Sequence, residues 1–205
     1  MWLKQEPVVE GSLRGEVVEL DGLWTRTGAG REELKVARDD RGAVFLSFGE
    51  WEQVVEGLYA RGLGKPAHMV SDGDPGIAGA IELVYGTQVP HQLCQFHLLQ
   101  EYRRNLGQVG WAEAKALLHS QDQEEAQHWV QRLSKLTGGR AGYWCDKELK
   151  KGLTWLETGQ IQWRTTSRLE RFNRELRRRE WLGTWWSPHN LTVLLAQGIQ
   201  LTSTT

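Results

Sequence analysis

The chain has 205 residues, of which 40% are hydrophobic and 25% charged, and its formal net charge is −1 at pH 7. This length suits one domain with a sizeable core, and no apolar run approaches the roughly 20 residues that span a bilayer. The near-neutral total excludes a uniformly basic nucleic-acid-binding protein, and two cysteines are too few for a disulfide framework. Because no signal-peptide pattern opens the sequence, we expect a cytoplasmic protein.

Positive charge is concentrated near the end of the chain. Residues 164–179 contain seven arginines and two glutamates, whereas residues 1–60 contain seven basic and twelve acidic side chains. A block of this kind is most often a solvated helix face, and in some proteins it binds a polyanion such as DNA. Charge alone leaves both interpretations open.

The first sixty residues carry the pattern of an antiparallel meander. The segment GEVVELDGLWTRTG (15–28) has the alternating, β-branched character of a strand, with Asp21 at its centre. REELKVAR and AVFLSF follow as two further strand candidates, separated by the turn signal DDRG. We therefore predict three consecutive antiparallel strands.

Helices and strands alternate after the meander. Residues 50–62 place apolar side chains at helical spacing, residues 67–71 are a fourth strand candidate, and PGIAGAIELVYG predicts a second helix. VPHQLCQF is a fifth short strand or the start of a helix. A strand that follows a helix adds in parallel to a sheet. Three antiparallel strands followed by parallel ones is the order of an RNase H-like fold, so we predict an α/β protein with an RNase H-like mixed sheet flanked by helices.

A long helical segment interrupts this pattern. Residues 96–160 contain WAEAKALLH, DQEEAQHWVQRLSKL and YWCDKELKKGLTWL, and the segment is too long for a connection within a compact domain. We predict an all-α insertion there, between a first part of the core at residues 1–95 and a last part at residues 161–205. Four tryptophans of the insertion are candidates for base stacking but are more often core residues: Trp111, Trp129, Trp144 and Trp155.

The last part of the predicted core contains TTSRLERFNRELRRREW, which has the pattern of an amphipathic helix. Residues 165–167 are its cap candidates, and Leu169, Phe172 and Leu176 form its predicted buried stripe. The tail SPHNLTVLLAQGIQLTSTT predicts one more helix.

Three acidic side chains occupy informative positions in this predicted fold. Asp21 lies in the first strand, Asp72 directly follows the fourth, and Glu170 lies in the helix after the insertion. Strands one and four are neighbours in such a sheet and the late helix packs across their ends, so the three carboxylates can meet. Carboxylate clusters bind pairs of Mg²⁺ or Mn²⁺ ions about 4 Å apart, which activate a water or a 3′-hydroxyl against a phosphodiester. Taken singly, Asp21 before Gly22 suits a turn, and Glu170 before Arg174 suits a helix ion pair.

A second aspartate lies two positions after Asp72. Asp74 precedes Pro75, and an Asp followed by a Pro at the first helical position is a helix-start pattern. We therefore predict that Asp74 caps the following helix and that Asp72 is the metal ligand.

Two blocks of the chain resemble a known family. VSDGDPGIAGAIE with HQLCQFHLLQEYRRN, and TTSRLERFNRELRRR, resemble the best-marked blocks of the DDE transposases of bacterial insertion sequences, in the Mutator-like group. In that group a strand ending in S-D-G precedes a helix, and a C-x-x-H signature and a helical insertion follow. A T-x-x-x-E-x-x-N helix closes the catalytic domain. VVELDGLW is similar to the group's first-aspartate strand, so the resemblance covers most of residues 15–180.

This resemblance implies the roles of several site residues. His97 would lie near the active site and hydrogen-bond a phosphate or a catalytic carboxylate, with Asn173 nearby, while Cys94 would be buried. The catalytic, metal-binding triad would be Asp21, Asp72 and Glu170.

A structural zinc site is the alternative for the C-x-x-H pair. Cys94 and His97 supply half of such a site, but no second closely spaced pair accompanies them. The remaining candidates are Cys145, His119 and His128, which lie far apart in the sequence.

The helix carrying Glu170 also predicts the DNA contacts. Asn173, Arg174 and Arg177 follow Glu170 by three, four and seven positions, on nearly one helix face, where a scissile phosphate and its flanking backbone would lie. The candidate DNA-binding residues of this helix are Arg168, Arg171, Arg174, Arg177 and Arg178.

These features together predict the catalytic domain of a transposase that uses two Mg²⁺ or Mn²⁺ ions. It would hydrolyse a phosphodiester at a transposon end and join the freed 3′-hydroxyl to target DNA, as a homodimer on double-stranded DNA with no membrane partner. Because the chain begins almost at the first strand, a truncated or domesticated, non-catalytic DNA-binding remnant is the alternative. An RNase H-like nuclease without strand transfer would share the triad.

Overall fold

Five strands form the centre of the structure. This computed structural model describes residues 15–27, 30–145, 150–159 and 163–180. The strands are β1 (Val17–Thr27), β2 (Gly30–Asp39), β3 (Val44–Ser47), β4 (His68–Ser71) and β5 (His91–Leu93). Their order in the sheet is β3-β2-β1-β4-β5.

The sheet is mixed, as predicted. β1 pairs antiparallel with β2, and β2 pairs antiparallel with β3. β1 pairs in parallel with β4, and β4 pairs in parallel with β5. The α/β class, the meander and the added parallel strands are therefore confirmed. The ambiguous segment VPHQLCQF contains both elements, because β5 ends at Leu93 and a helix begins at Gln95.

Helices surround the sheet and fill the segment between β5 and the last described helix. The first predicted helix is α-helical only to Leu58, then widens into a π-helical turn (Tyr59–Leu63) and stops at Gly64, whose φ is 66°. The described helices are α1 (Trp51–Leu58), α2 (Pro75–Tyr85), α3 (Gln95–Leu106), α4 (Trp111–Leu118), α5 (Gln123–Thr137), α6 (Gly142–Trp144), α7 (Lys150–Gly152), α8 (Thr154–Thr158) and α9 (Ser167–Glu180).

The two faces of β1 pack against different helices. Successive side chains of a strand point to opposite faces. Val18 and Leu20 therefore enter one cluster with the apolar residues of α1 and α2, such as Val54 and Ile77. On the opposite face, Leu23 of β1 packs in a separate cluster. Glu19 and Asp21 occupy this second face because they share the parity of Leu23.

Helix α9 covers the second face of the sheet. Its Leu169 and Leu176 are 0% and 2% exposed and pack with Leu34, Val36 and other residues of β1, β2 and β3. Phe172 is only partly buried in this cluster. Asn173, which is 5% exposed, completes the buried stripe at the spacing of a helix. The stripe of α9 thus contains one polar side chain that faces β1.

The helical segment after β5 has its own apolar cluster. Leu98, Tyr102, Leu117 and Leu133 are buried in it. The side chain of Gln92 on β5 ties the segment to the sheet: its Nε2 donates to the carbonyl of Gly152 at 2.6 Å, and its Oε1 accepts from the backbone N–H of Trp155 at 3.2 Å. The division into a core and an insertion at residues 96–160 stays a prediction.

One predicted helix lies in a part of the chain outside this description. The helix predicted in SPHNLTVLLAQGIQLTSTT lies outside the described residues, as do residues 1–14. Of the helices that are described, none is long and apolar enough to cross a bilayer.

Candidate active site

Asp21 and Asp72 follow the last pair of the parallel ladder between β1 and β4. Each β4 residue in this ladder is numbered 51 above its β1 partner, and the last pair joins Leu20 to Ser71. Asp21 and Asp72 have the same offset and come next on each strand. Asp21 also pairs with Val36 of β2, so its backbone is held on that side. Asp21, in the middle of β1, and Asp72, just after β4, therefore both follow the end of the parallel ladder between these two strands.

The Asp21 carboxylate lies in a crowded electrostatic environment. Burial is the largest cause that raises its pKa, and the charges of Asp72 and Glu170 raise it further, to about 6. The charge of His97 and a hydrogen bond from Asn173 act in the opposite direction. The Nδ2 of Asn173 donates to Oδ2 of Asp21 at 2.7 Å. The structure thus brings Asp21 within electrostatic reach of both other acids of the predicted triad.

The two aspartates after β4 have different partners. Oδ1 of Asp72 accepts the backbone N–H of Asp74 at 3.1 Å. Asp74 precedes α2, and its Oδ1 accepts the backbone N–H of Gly76 at 2.7 Å, with Pro75 in the first turn. The prediction that Asp74 is a helix cap is confirmed. Gly73 between them has φ 95°, a left-handed conformation that suits glycine and allows this tight turn.

Glu170 lies in the first turn of α9, facing α3. Its Oε1 is 3.7 Å from Nε2 of His97 and 3.4 Å from the hydroxyl of Thr166, which donates to it. His97 therefore does lie beside a carboxylate of the predicted triad. Burial tends to lower the pKa of His97, but the nearby Cys94 sulfur and the charges of Glu170 and Asp21 raise it to about 9. A protonated His97 offsets part of the negative charge of the cluster.

Cys94 is fully buried just before α3, as predicted. Its Sγ accepts the backbone N–H of Thr166 at 3.3 Å and the Thr166 hydroxyl at 3.4 Å. Burial disfavours the thiolate, but hydrogen bonding to His97, the charge of His97 and the Thr166 donors together lower the pKa of Cys94. One donor atom each from Cys94, His97 and Glu170 lies within 4.8 Å of the others, a spacing that a metal ion can bridge.

Sequence reasoning missed the role of Glu19. This carboxylate is 1% exposed and shares the β1 face of Asp21. Burial raises its pKa to about 7, although the charges of Arg38 and Arg168 lower it. Its Oε2 is buried and has no hydrogen-bond partner among the described residues. The available signal was an acidic residue of the same strand parity as Asp21, within the apolar run VVEL.

The first turn of α9 corrects the prediction of its cap. Residues 165–167 were expected to supply the capping side chain, but in the part of the chain that the structure describes they do not. The Thr166 hydroxyl contacts Cys94 and Glu170, and the hydroxyls of Thr165 and Ser167 pair with each other at 2.9 Å. The tertiary fold places Cys94 and Glu170 beside the Thr166 hydroxyl, which donates to them instead of accepting a backbone N–H of α9.

The arginines of α9 have different surroundings. Arg174 and Arg177 are exposed. The expected common face with Asn173 is not formed, because Asn173 turns inward to Asp21 while the two arginines face solvent. Arg171 is also exposed. The remaining two candidates have neighbours: the guanidinium of Arg168 lies 3.4 Å from the centre of the Trp163 ring, and Arg178 pairs with Glu175 at 2.8 Å.

The four tryptophan side chains of the helical segment are buried or partly buried and do not extend fully into solvent. Trp144 and Trp155 are 4% and 7% exposed. Trp111 and Trp129 are partly buried against the cluster of that segment. The packing interpretation, which was preferred over base stacking, is therefore confirmed for these side chains.

Comparison with known proteins agrees with the resemblance of the two sequence blocks. Residues 47–187, well over half of the chain, match the family described as "Transposase, Mutator family". The chain is also 33% identical over 148 residues to the transposase for insertion sequence element IS406 of Burkholderia multivorans (strain ATCC 17616 / 249). That match covers 63% of this chain and 36% of the relative, so the chain spans about a third of the relative's length. The matched block contains β4, α2, the C-x-x-H pair and α9, and the chain belongs to the Mutator family of transposases.

Proposed function

We propose that this chain carries the catalytic core of a DDE transposase, in which Asp21, Asp72 and Glu170 bind one or two Mg²⁺ or Mn²⁺ ions. The observations that support this proposal are the β1–β4 ladder, which Asp21 and Asp72 follow in register, and the charges of Asp72 and Glu170, which act on the buried Asp21 carboxylate. The strand order β3-β2-β1-β4-β5, with its antiparallel and parallel halves, supports an RNase H-like fold for this core.

The donor set fits a hard divalent cation. Burial, and after it the charges of Asp72 and Glu170, raise the pKa of Asp21 to about 6, and a bound cation would offset both effects. Magnesium and manganese prefer oxygen ligands, and Asn173 offers a further one: its Oδ1 is buried and has no hydrogen-bond partner among the described residues. A cation between these oxygens would relieve the repulsion and satisfy the amide oxygen.

The chain's own groups would divide the work around such a centre. Bound Mg²⁺ or Mn²⁺ supplies activation of a water or a 3′-hydroxyl and neutralises the leaving oxygen of a phosphodiester. Asp21 and Asp72 would hold the cation from the sheet, and Glu170 would hold it from α9. Asn173 orients Asp21 through the 2.7 Å hydrogen bond. His97, with a pKa of about 9, would be cationic at neutral pH and would hold Glu170 or contact the scissile phosphate.

The substrate in this proposal is double-stranded DNA, cut at transposon ends and joined to a target in the bacterial cytoplasm. The exposed guanidinium groups of Arg174 and Arg177 lie on the helix that carries Glu170, where they would contact phosphates without reading sequence. Residues 96–160 would be a helical insertion in the core. Two ends require two active sites, so the chain would act as a homodimer on DNA.

Calorimetric titration with Mn²⁺ tests the site first, followed by cleavage and strand transfer on DNA that carries the element's ends. We expect Asp72→Asn and Glu170→Gln to remove Mn²⁺ binding and metal-dependent cleavage, because each takes one carboxylate from the cluster. Glu175→Gln is the matched control, since Glu175 is an exposed acid of the same helix paired with Arg178. Intact cleavage and strand transfer in Asp72→Asn or Glu170→Gln would overturn the proposal.

The titration separates the first alternative from the proposed enzyme, and analysis of the DNA products separates the second. A non-catalytic DNA-binding remnant would bind DNA through α9 but show no carboxylate-dependent Mn²⁺ binding. A nuclease without strand transfer would bind Mn²⁺ and cut DNA, and its products would never be joined to a target.

A further inference from the structure

Trp24 of β1 is a large aromatic side chain that lies in solvent. It is 51% exposed, whereas the other tryptophans that the structure describes are buried or partly buried. A single exposed apolar residue is common on protein surfaces and indicates nothing by itself. The position of Trp24 and the charges around it therefore decide what this side chain does.

Trp24 lies on a two-stranded arm that extends beyond the rest of the sheet. β4 pairs with β1 only at residues 17–20, and β3 pairs with β2 only at residues 35–38. Residues 23–27 of β1 and 30–34 of β2 pair with each other and, among the described residues, with no further strand. These two segments form the hairpin arm, which starts two residues beyond Asp21.

One face of the hairpin arm is packed against α9. Leu23 and Leu34 are cross-strand partners, and both belong to the buried cluster that contains Leu169 and Leu176. This packing holds the base of the arm in place. Because successive side chains of a strand alternate between faces, Trp24 points away from α9.

The face that points away from α9 carries Trp24 and two arginines. Arg26 and Arg31 are direct cross-strand partners, next to the pair of Trp24 and Glu33, and both arginines are exposed. The guanidinium of Arg31 lies 5.4 Å from the centre of the Trp24 ring. The negative charge of Glu33 is balanced within the same face by Lys35, whose Nζ donates to its Oε2. The exposed end of this face is therefore aromatic and positively charged.

An exposed aromatic ring beside positive charge is the combination that binds unpaired nucleotides. Bases of any sequence stack on aromatic side chains, and basic groups contact the flanking phosphates. Directly opposed residues of a hairpin have Cβ atoms about 5 Å apart, so the side chains of Arg26 and Arg31 can reach one phosphate together. Charge complementarity thus favours a nucleic-acid strand as the occupant of this face.

The hairpin arm is continuous with the strand of the proposed metal centre. Trp24 lies three residues beyond Asp21 on β1, about 10 Å along the strand. One DNA strand advances about 3.4 Å per nucleotide, so this distance corresponds to about three nucleotides. The two side chains point to opposite faces of β1, so the arm would contact a flanking nucleotide and not the reacting phosphodiester.

We propose that the hairpin arm is a second DNA-contact surface, on which Trp24 stacks against an unpaired base flanking the cleavage site and Arg31 contacts the adjacent phosphate. Arg31 lies over the Trp24 ring and so also orients it. The inference rests on the proposed function for its partner, DNA, and it requires neither metal binding nor cleavage.

Fluorescence anisotropy with two DNA molecules tests this surface in the presence of EDTA. One is a blunt duplex, and the other is the same duplex with one end forked into two unpaired strands of about ten thymidines, within the usual site size of single-strand binding. The variants are Trp24→Ala, Trp24→Phe and Arg31→Ala. Tyr59→Ala is the matched control, because Tyr59 is an aromatic residue that is 58% exposed on the π-helical turn after α1.

We expect the unmodified protein to bind the forked DNA more tightly than the blunt duplex. Trp24→Ala should weaken binding of the forked DNA roughly 10-fold and change binding of the blunt duplex by less than about 2-fold, because only an unpaired base can stack on the ring. Trp24→Phe, which keeps an aromatic face, should stay within about 3-fold of the unmodified protein. Arg31→Ala should flatten the salt slope for the forked DNA by about 0.7, the single-strand value for one phosphate. Tyr59→Ala should change neither affinity.

Three results would overturn the inference. Equal affinity of Trp24→Ala and the unmodified protein for the forked DNA would mean that the ring contacts no base. An equal loss on both DNA molecules would mean that the substitution acts through general destabilisation. A change from dimer to monomer in Trp24→Ala, measured by sedimentation without DNA, would mean that the arm contacts a second copy of the chain. If Trp24→Ala does not fold, Arg31→Ala decides, and an unchanged salt slope then overturns the inference.

Failure of the proposed function gives a different pattern. If the unmodified protein shows no Mn²⁺ binding that depends on Asp72, while preference for the forked DNA depends on Trp24, the proposed enzyme fails and the arm is supported. If Mn²⁺ binding depends on Asp72 and Trp24→Ala binds the forked DNA normally, the inference about the arm fails alone.

Discussion

The side-chain amide of Asn173 donates to the Asp21 carboxylate at 2.7 Å, across a sequence separation of 152 residues. This bond is the direct side-chain link between the helix of Glu170 and the strand of Asp21. It also favours the ionised form of Asp21, against the burial and the neighbouring acids that raise its pKa to about 6. The amide is therefore placed to keep Asp21 available as a ligand.

Replacing Asn173 with leucine tests this link. Leucine has a similar volume and extends the apolar stripe of Leu169 and Leu176, so we expect little loss of stability. The half-saturating Mn²⁺ concentration should rise about 10-fold or more, since Asp21 loses the group that orients it. Calorimetry measures the affinity, and Phe172→Leu is the control on the same helix. An unchanged Mn²⁺ affinity in Asn173→Leu would show that the amide has no role in the site.

Substitution by serine should have opposite effects at Asp72 and at Asp74. Serine is about as good a helix cap as aspartate, so Asp74→Ser should cost little stability and preserve activity. Asp74→Ala should cost about 1 kcal/mol, because the bond to the Gly76 N–H is lost. Asp72→Ser should abolish Mn²⁺ binding and cleavage. Denaturant unfolding and calorimetry measure the two effects, and swapped outcomes would reverse the assignment of ligand and cap.

Removal of Arg174 or Arg177 should weaken DNA binding without changing the metal site. Each exposed guanidinium that neutralises a phosphate contributes about one unit to the slope of log affinity against log salt. We therefore expect Arg174→Ala and Arg177→Ala each to flatten that slope by about one unit. Fluorescence anisotropy at several salt concentrations measures it.

Arg132→Ala is the matched control for the salt experiment. Arg132 is an exposed arginine of α5 that pairs with Glu113 at 3.2 Å, away from α9. It should leave the salt slope unchanged. If both α9 variants also keep the slope of the unmodified protein, these arginines do not contact phosphate.

Much of this arrangement follows from local patterns in the chain. The order of the predicted elements suggested an RNase H-like sheet, in which the first and fourth strands are neighbours, and the ladder between β1 and β4 confirms that pairing. The helix-start pattern at Asp74 and Pro75 predicted the cap correctly, because the capping atoms lie two residues apart. Such short-range rules apply before any tertiary contact is known.

The contacts at the start of α9 were not predicted by local sequence patterns. A threonine before the helix predicted its own cap, but in the folded chain the Thr166 hydroxyl donates to Cys94 and Glu170. The inward turn of Asn173 depends in the same way on Asp21, which is remote in sequence. The hydrogen-bond partners of polar groups buried between distant segments depend on the tertiary fold. Local sequence patterns do not predict which distant residues will be close.

The pH dependence of stability should include a contribution from the half-buried His91. Its Nε2 lies 2.7 Å from the Ser71 hydroxyl, and burial, with the charge of Lys151, lowers its pKa from 6.5 to about 4. Between these two pH values the unfolded chain binds a proton that the folded chain does not. Stability should therefore be complete above pH 6.5 and fall as the pH decreases toward 4, by on the order of 2 kcal/mol. Urea unfolding at successive pH values measures this change.

Glu and other groups titrate in the same range, so a variant isolates the histidine. His91→Gln keeps a polar side chain near Ser71 but cannot be protonated in this window. The difference in unfolding free energy between the unmodified protein and His91→Gln should shrink, and can change sign, as the pH falls from 6.5 to 4. Two parallel curves would mean that His91 does not contribute.

Substitution of Cys94 tests whether this residue packs in the core or binds structural zinc. Its sulfur accepts two hydrogen bonds from Thr166, whose hydroxyl also donates to Glu170, so Cys94→Ala leaves the buried Thr166 N–H unpaired and should cost about 1–3 kcal/mol. Cys94→Ser keeps an acceptor and should cost less. If Cys94, His97 and Glu170 instead held structural zinc, both variants would lose the metal and a chelator would destabilise the unmodified protein. We expect thermal unfolding to be insensitive to the chelator and the serine variant to be more stable than the alanine variant, because the sulfur acts as a hydrogen-bond acceptor.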